Sequence, residues 1–171
     1  MENTESFVRL RALEPEDLDF LYGIENDERI WDVGVTNVPY SKNLLLDYIT
    51  TQSGDIFVDK QVRLMVENEA SKTIGIVDLI NFSPAHRRVE LGIVIENTYR
   101  GRGYASSAIA KVIDYCRKIL HLHQIYAIVP ENNEKCMKLL ESAGFQEGIV
   151  LDDWLFDGES YRSAYFFQIF L

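Results

Sequence analysis

The sequence predicts an α/β (α+β) chain in which a central mixed sheet, mostly antiparallel, is flanked by helices. Three observations predict it. An apolar run from Arg88 to Ile95 leads into a glycine turn, Arg100-Gly101-Arg102-Gly103-Tyr104-Ala105, which opens an amphipathic helix. Two strand-like runs, Ile56 to Glu67 and Thr73 to Phe82, flank the polar turn 68–72 and read as an antiparallel pair. Near the C-terminus two long apolar runs flank Asp157-Gly158, a dipeptide suited to a tight hairpin.

Each element follows from local chemistry. Phe7 to Leu13 alternates apolar and basic residues as a half-buried strand does. Pro15 then stands where a helix begins, and Leu18, Leu21, Tyr22 and Glu25 continue it to about Asn26. Ser41 is placed to cap a second helix, Lys42 to about Thr51, with Leu44, Leu45, Tyr48 and Ile49 on one face. After the strand pair comes Arg88 to Ile95, the third central strand. The helix from Tyr104 to Leu120 carries Ala108, Ile109, Val112, Ile113, Cys116, Ile119 and Leu120 at helical spacing. Gln124 to Val129 forms another strand, Asn133 caps a helix running to Ser142, and Gly144 ends it. The predicted order is β-α-α-β-β-β-α-β-α-β-β.

Length and composition favour one domain over residues 1–171. A chain of 171 residues that is 47% hydrophobic buries about 70% of its unfolded surface on folding, enough for a sizeable core. It has no apolar run of about 18 residues, and Met1 to Ser6 is polar and acidic, so neither membrane insertion nor export is expected. Cys116 and Cys136 fall at apolar positions of helical patterns, which predicts two buried reduced thiols and a cytoplasmic setting.

The net charge is −10, distributed unevenly. Residues 1–60 hold thirteen Asp/Glu against five Lys/Arg, whereas residues 83–120 hold seven Lys/Arg against three Asp/Glu. Nucleic acid, which demands several cationic phosphate contacts on one face, is excluded as a natural partner. An anionic cofactor at the middle of the chain and a cationic acceptor near its N-terminal third suit the pattern, with many of the acids serving solubility.

The glycine turn is an anion cradle. Gly101 and Gly103 let the backbone come close to a ligand, and a helix start offers N–H groups and a positive dipole end to a phosphate. A Walker loop would end in Gly-Lys-Ser/Thr, which is absent, and a dinucleotide fingerprint would have a third glycine where Ser106 stands. Arg100, Gly103 and Ala105 instead occupy the defining positions of the Arg/Gln-x-x-Gly-x-Gly/Ala loop that grips the pyrophosphate of coenzyme A in the GNAT N-acetyltransferase family, which this turn resembles.

The likeness extends over residues 7–171. The element order and the Asn133, Leu140, Gly144-Phe145 segment resemble the whole GNAT fold. Within it the chain is most similar to the branch of spermidine N-acetyltransferases and ribosomal-protein N-terminal acetyltransferases. The spermidine enzymes share Leu10-Arg11-Ala12-Leu13-Glu14 with Asp17-Leu18, Pro39-Tyr40, His86-Arg87-Arg88-Val89-Glu90 and Asn133-Glu134-Lys135.

The resemblance implies a sheet splayed at a cofactor cleft between the Arg88–Ile95 and Gln124–Val129 strands, with acetyl-CoA as the acetyl donor and a primary amine (polyamine, small amine or protein N-terminus) as the acceptor. The pantetheine arm would bond the backbone of Ile93, Val94 and Ile95 as an added strand does. Arg100, Gly101, Arg102, Gly103, Tyr104, Ala105 and Ser106 would hold the pyrophosphate. Asn133 would contact the pantetheine, cap its helix, or do both. An amine is protonated near pH 7, so a base must act before it attacks the thioester. Glu90, on the strand flanking the cleft and on one face with Gly92 and Val94, is the candidate base, its bland alternative being an ion pair with Arg88 or Arg63. A strand N–H near Val94 or Ile95 would meet the developing oxyanion.

Two departures from the family pattern stand out. The penultimate helix commonly carries a tyrosine that protonates the leaving thiolate, and seven residues after Asn133 stands Leu140. A slower enzyme, a water or Cys136 acting in its place, or a non-catalytic acyl-CoA-binding module would each be compatible. The spermidine enzymes carry two glutamates just before Pro-Tyr, where this chain has Asn37 and Val38. Glu28, Trp31, Asp32 and Tyr40 are the candidate acceptor residues, carboxylates with an aromatic wall being a suitable host for an ammonium. His86, His121 and His123 lack metal-ligand spacing and no Gly-x-Ser-x-Gly elbow occurs, so neither a metal nor a hydrolase triad is expected. The apolar last strand, Tyr165 to Leu171, suggests pairing across a two-fold in a homo-oligomer.

Overall fold

The computed structural model describes residues 8–31 and 38–171. Seven strands form one sheet in the order β1-β2-β3-β4-β5-β7-β6: β1 (Arg9–Ala12), β2 (Val62–Glu67), β3 (Thr73–Ser83), β4 (Arg88–Ile95), β5 (Gln124–Pro130), β6 (Gln146–Phe156) and β7 (Tyr161–Phe170). All neighbours are antiparallel except β4 and β5. That parallel pair holds the key to the architecture. It joins only at Arg88↔Gln124, Val89↔Ile125 and Glu90↔Tyr126, after which the strands part. The start of the pairing is pinned by the Arg87 carbonyl, which accepts from the N–H groups of both His123 (2.8 Å) and Gln124 (3.1 Å).

The helices are α1 (Leu18–Glu25), α2 (Glu28–Trp31), α3 (Lys42–Thr51), α4 (Ile56–Asp59), α5 (Tyr104–Lys118) and α6 (Glu134–Ser142). Ser41 caps α3 as expected, its hydroxyl accepting from the Leu44 N–H. The segment from Ile56 differs from its reading as strand. The Asp55 carboxylate accepts from the Phe57 N–H at 2.8 Å, which starts a helical turn, and Lys60, with a φ of 58°, ends it. One turn of helix then turns Ile56 into the core.

Two apolar clusters cover the two faces of the sheet. On one, α5 lays Ala108, Ile109, Val112 and Cys116 against Val77, Leu79, Val89 and Leu91. On the other, α1 and α3 set Leu21, Leu45 and Ile49 on Met65 and Ile76. Side chains alternate along a strand, so Glu90, Gly92 and Val94 emerge on the α1/α3 side and Leu91, Ile93 and Ile95 on the α5 side. At Gly75 a Cβ would lie 2.5 Å from the Val94 carbonyl oxygen, so β3 and β4 meet this closely only because that position is glycine.

Cys116 is buried, and burial pushes its thiol up to about 12. Cys136 departs from the expectation of a buried thiol, being only half-buried. The two-fold pairing through Tyr165–Leu171 also loses its basis, because β7 is hydrogen-bonded on both sides, by β5 and β6. The sheet edge on this side is β6, which exposes Ile149, Val150, Trp154 and Phe156. Among the described residues no helix is long and apolar enough to cross a membrane.

Candidate active site

The parting of β4 from β5 opens a cleft of about 700 Å³. Its walls come from β2, β3, β4 and β5, from α1 and α3, and from α6. Backbone direction decides which groups β4 offers to it. The Glu96 N–H donates to the Ile74 carbonyl at 2.8 Å, and Val94 pairs with Ile76. Alternation of an antiparallel ladder then sends the Val94 backbone groups toward β3 and those of Ile93 and Ile95 toward the unpaired side. Val94 therefore cannot serve as a backbone partner in the cleft, and it contributes its side chain to the wall instead. The Ile95 carbonyl is itself taken, accepting from Arg100 Nε at 2.8 Å.

That Arg100 bond folds its side chain back onto the end of β4 and anchors the glycine loop. Gly101 and Gly103 have φ of 73° and 84°, left-handed values that favour glycine. Gly103 is the residue before the first turn of α5, and it has no side chain with which to cap the helix. The first N–H groups of a helix have no acceptor within it, so this end of α5 is built to receive an anion. The rest of the loop is braced from behind. Tyr104 is buried, its hydroxyl 3.1 Å from both Glu69 carboxylate oxygens, and Tyr99 packs edge-on against it at 6.2 Å. Lys72 and Arg102 lie over the Tyr99 ring at 5.1 and 5.8 Å, placing two cations beside the loop.

Glu90 stands at the last rung before the strands part, half-buried and lining the cleft. Its partner is neither Arg88 nor Arg63. Asn81 Nδ2 donates to Glu90 Oε2 at 2.7 Å, and Tyr126 faces it across the parallel pair. Burial, reinforced by the Glu90 charge, raises the Tyr126 phenol above its usual range, which keeps it protonated. Arg63 is committed elsewhere, donating to both oxygens of Asp78 (2.6 and 2.9 Å) and to Glu25 (2.5 Å). Although burial opposes its charge, those two carboxylates hold Arg63 well above the ordinary guanidinium range. Among the described residues that line the cleft, three carboxylates (Glu25, Asp78, Glu90) face one cation (Arg63), an excess of two negative charges.

Comparison with known proteins gives this geometry its context. Residues 8–146 match the model of the acetyltransferase (GNAT) domain. The chain is 32% identical over 154 residues to the spermidine N(1)-acetyltransferase of Vibrio cholerae, covering 90% of this chain and 87% of the relative. It is 31% identical over 158 residues to that of Escherichia coli K12, covering 92% and 82%. The crystal structure of the Vibrio cholerae spermidine N-acetyltransferase in complex with CoA and spermine superposes with a TM-score of 0.85, covering 97% of this chain and 96% of the other.

The chain belongs to the GNAT acetyltransferase family. It is an acetyl-CoA-dependent N-acetyltransferase with a mixed, mostly antiparallel sheet. In this acetyltransferase Asn133 caps α6, its side-chain oxygen accepting from the Cys136 N–H at 3.2 Å, and it also lines the cleft. Leu140 is 1% exposed and closes the cleft where the family tyrosine would stand. Cys136 lines the cleft one turn before it, and burial raises its thiol, so it is protonated at neutral pH.

Of the four candidate acceptor residues, Tyr40 is at the cleft, clamped by Asn26, which accepts from the Tyr40 N–H (2.7 Å) and donates to its carbonyl (3.0 Å). Glu28 is exposed on α2 and does not line the cleft. Asp32 and the side chain of Trp31 lie outside the described residues, as does Asn37. Sequence reasoning missed Glu25, Asp78 and Tyr48 as cleft groups. Asp78 was open to discovery, since a lone acid in the apolar strand Thr73–Phe82 asks for a partner.

Proposed function

We propose that this acetyltransferase acts on a polyamine, with Glu90 as its base. The observation that carries the reading is the acidic cleft: Glu25, Asp78 and Glu90 against Arg63 alone, walled by Tyr40 and Tyr48 and opening beside the free edge of β4. A mono-cation needs one such charge; an excess of two suits an amine with a second ammonium farther along its chain. The spermine complex of the Vibrio cholerae relative supports the same class.

Acetyl-CoA supplies a thioester whose carbonyl the amine attacks. Glu90 takes the proton that the ammonium must lose first, a role for which a carboxylate needs only reach and a free lone pair. The glycine loop and the start of α5, from Arg100 to Ser106, hold the pyrophosphate. The Ile93 N–H, on the free side of β4, bonds the pantetheine or meets the oxyanion. Leu140 offers no proton to the departing sulfur. A thiol of pKa about 8.5 is a tolerable leaving group without one, and water restores the proton afterwards, since burial makes the Cys136 thiol too weak an acid to do so.

Release of free thiol from acetyl-CoA, measured against spermidine, spermine, a monoamine, an amino sugar and a peptide N-terminus, tests the reading. The expected result is the highest kcat/KM for a polyamine. A preference for the peptide or the sugar would overturn the polyamine assignment while leaving acetyl transfer in place.

A further inference from the structure

Strands β3 and β4 pair in strict register from Gly75↔Ile95 to Ile80↔Glu90, and their next pair is Ser83↔Arg88. Three steps along β3 match two along β4, so β3 carries one extra residue there. A bulge of this kind re-aims side chains. Phe82 turns inward, 5% exposed, with its N–H bonded to the Lys60 carbonyl at 3.0 Å. Asn81 takes a φ of 51°, in the left-handed region that asparagine tolerates better than most side chains. Its side chain returns to the face of Glu90.

The contact made there is specific. A carboxylate can only accept, so the amide nitrogen must be the atom that faces it, and Nδ2 lies 2.7 Å from Oε2. The other groups around Glu90 are Tyr126 on β5, Arg88 two residues back on β4, and Asp78, Arg63 and Glu25 along the same cleft. Helix α5 packs on the opposite face. Arg63 is held by Asp78 and Glu25, which leaves the amide of Asn81 and the phenol of Tyr126 as the neutral groups beside the carboxylate.

We propose that Asn81 is a positioning residue for acetyl transfer: the β3 bulge aims its amide so that Glu90 is held with a free lone pair toward the acceptor amine. The inference rests on Glu90 being the base. The left-handed turn at Asn81 both lets Phe82 face the core and brings this amide to Glu90, at the one place where β3 departs from regular pairing with β4.

Two variants separate the contact from the bulge. Asn81→Gly keeps a residue at ease with positive φ and deletes the amide. Asn81→Asp keeps the side-chain shape and turns the donor into a second carboxylate. For Asn81→Gly kcat is expected to fall about 10- to 100-fold, the scale of a misplaced catalytic group. KM for acetyl-CoA should stay unchanged, so that the loss falls on turnover and not on cofactor binding. Asn81→Asp, which sets a like charge against Glu90 in place of a donor, should lower kcat at least as far, again with KM for acetyl-CoA unchanged. Glu90→Gln, assayed alongside, separates the two claims. If it turns over like the wild type, the base assignment fails and the inference with it. If it is inactive while both Asn81 variants keep the wild-type kcat, the positioning role alone is overturned.

Discussion

At Gly92 the cleft-facing side of β4 carries no side chain, between Glu90 and Val94 on the same face. A Cβ built there would meet only the Asp78 Cβ, at 3.7 Å, an ordinary contact. The fold therefore tolerates a side chain here, at a position that the proposed acceptor path crosses. Gly92→Val is expected to raise KM for spermidine by about tenfold or more, the usual effect of one or two misplaced methyl groups in a pocket, with the affinity for acetyl-CoA unchanged. Measuring both constants checks it, and an unchanged amine KM would place the acceptor elsewhere. Single residues also show where sequence reasoning stops. Glu90 was legible because alternation along a strand fixes its face. Asn81 was not, since its orientation depends on a bulge set by how two strands register. Arg63, one of the two arginines the sequence offers as an ion-pair alternative for Glu90, belongs to Asp78 and Glu25, a choice made by α1 docking over β2 and β3.

Elements hold the same lesson. The long strands β3, β4 and β7, the helix α5 and the capped helix α6 were read with ends within a few residues, because apolar spacing and caps are local signals. Ile56-Phe57-Val58 reads as strand from its β-branched and aromatic residues, yet the Asp55 cap and the tie between Ser53 and Asp59 (2.8 Å) make a turn of helix. The element whose attachment is most electrostatic is β1. Arg11 donates to both oxygens of Asp17 (2.7 Å each) and to Glu67 (2.5 Å), two acids that are 5% and 6% exposed. Arg9 adds two more bonds to Glu67, from Nε and Nη2 to Oε2. Burial alone would raise the Asp17 carboxyl, but the hydrogen bonds from Arg11 and the Glu14 N–H hold it below its usual range. The bonds from Arg11 and Arg9 do the same for Glu67. Carboxyls depressed in the folded state contribute stability above their unfolded values of about 4, and that contribution is lost as pH falls through the lower folded values. Arg11→Met strands two buried acids and is expected to cost about 3 kcal/mol at pH 7, less for the share of Glu67 that Arg9 retains. Thermal unfolding from pH 7 to pH 3 checks it: the gap between wild type and variant should narrow toward low pH, and a constant gap would exclude the ion network as its cause.

At the scale of the whole molecule, charge and topology converge on one place. A chain of net charge −10 attracts polycations from a distance, and the splayed sheet gathers three of its acids into the cleft. The anion cradle of α5 was legible as a strand, a glycine turn and a helix start. The splay was not, because nothing local in Arg88–Ile95 or Gln124–Pro130 says that pairing stops after Glu90↔Tyr126; only likeness to a known fold implied it. Together these features gather Glu90, the acidic groups Glu25 and Asp78, and the glycine loop of α5 around the unpaired edge of β4, the arrangement on which the proposed base, acceptor path and anion site rest. The proposed transfer turns on Glu90. The most direct test is the rate of acetyl transfer from acetyl-CoA to spermidine by Glu90→Gln beside the wild type, with acetyl-CoA affinity measured on both. A fall of about 10²- to 10⁴-fold in turnover, the scale of lost general base catalysis, with affinity preserved is the predicted result. Equal turnover by the two proteins would contradict the account.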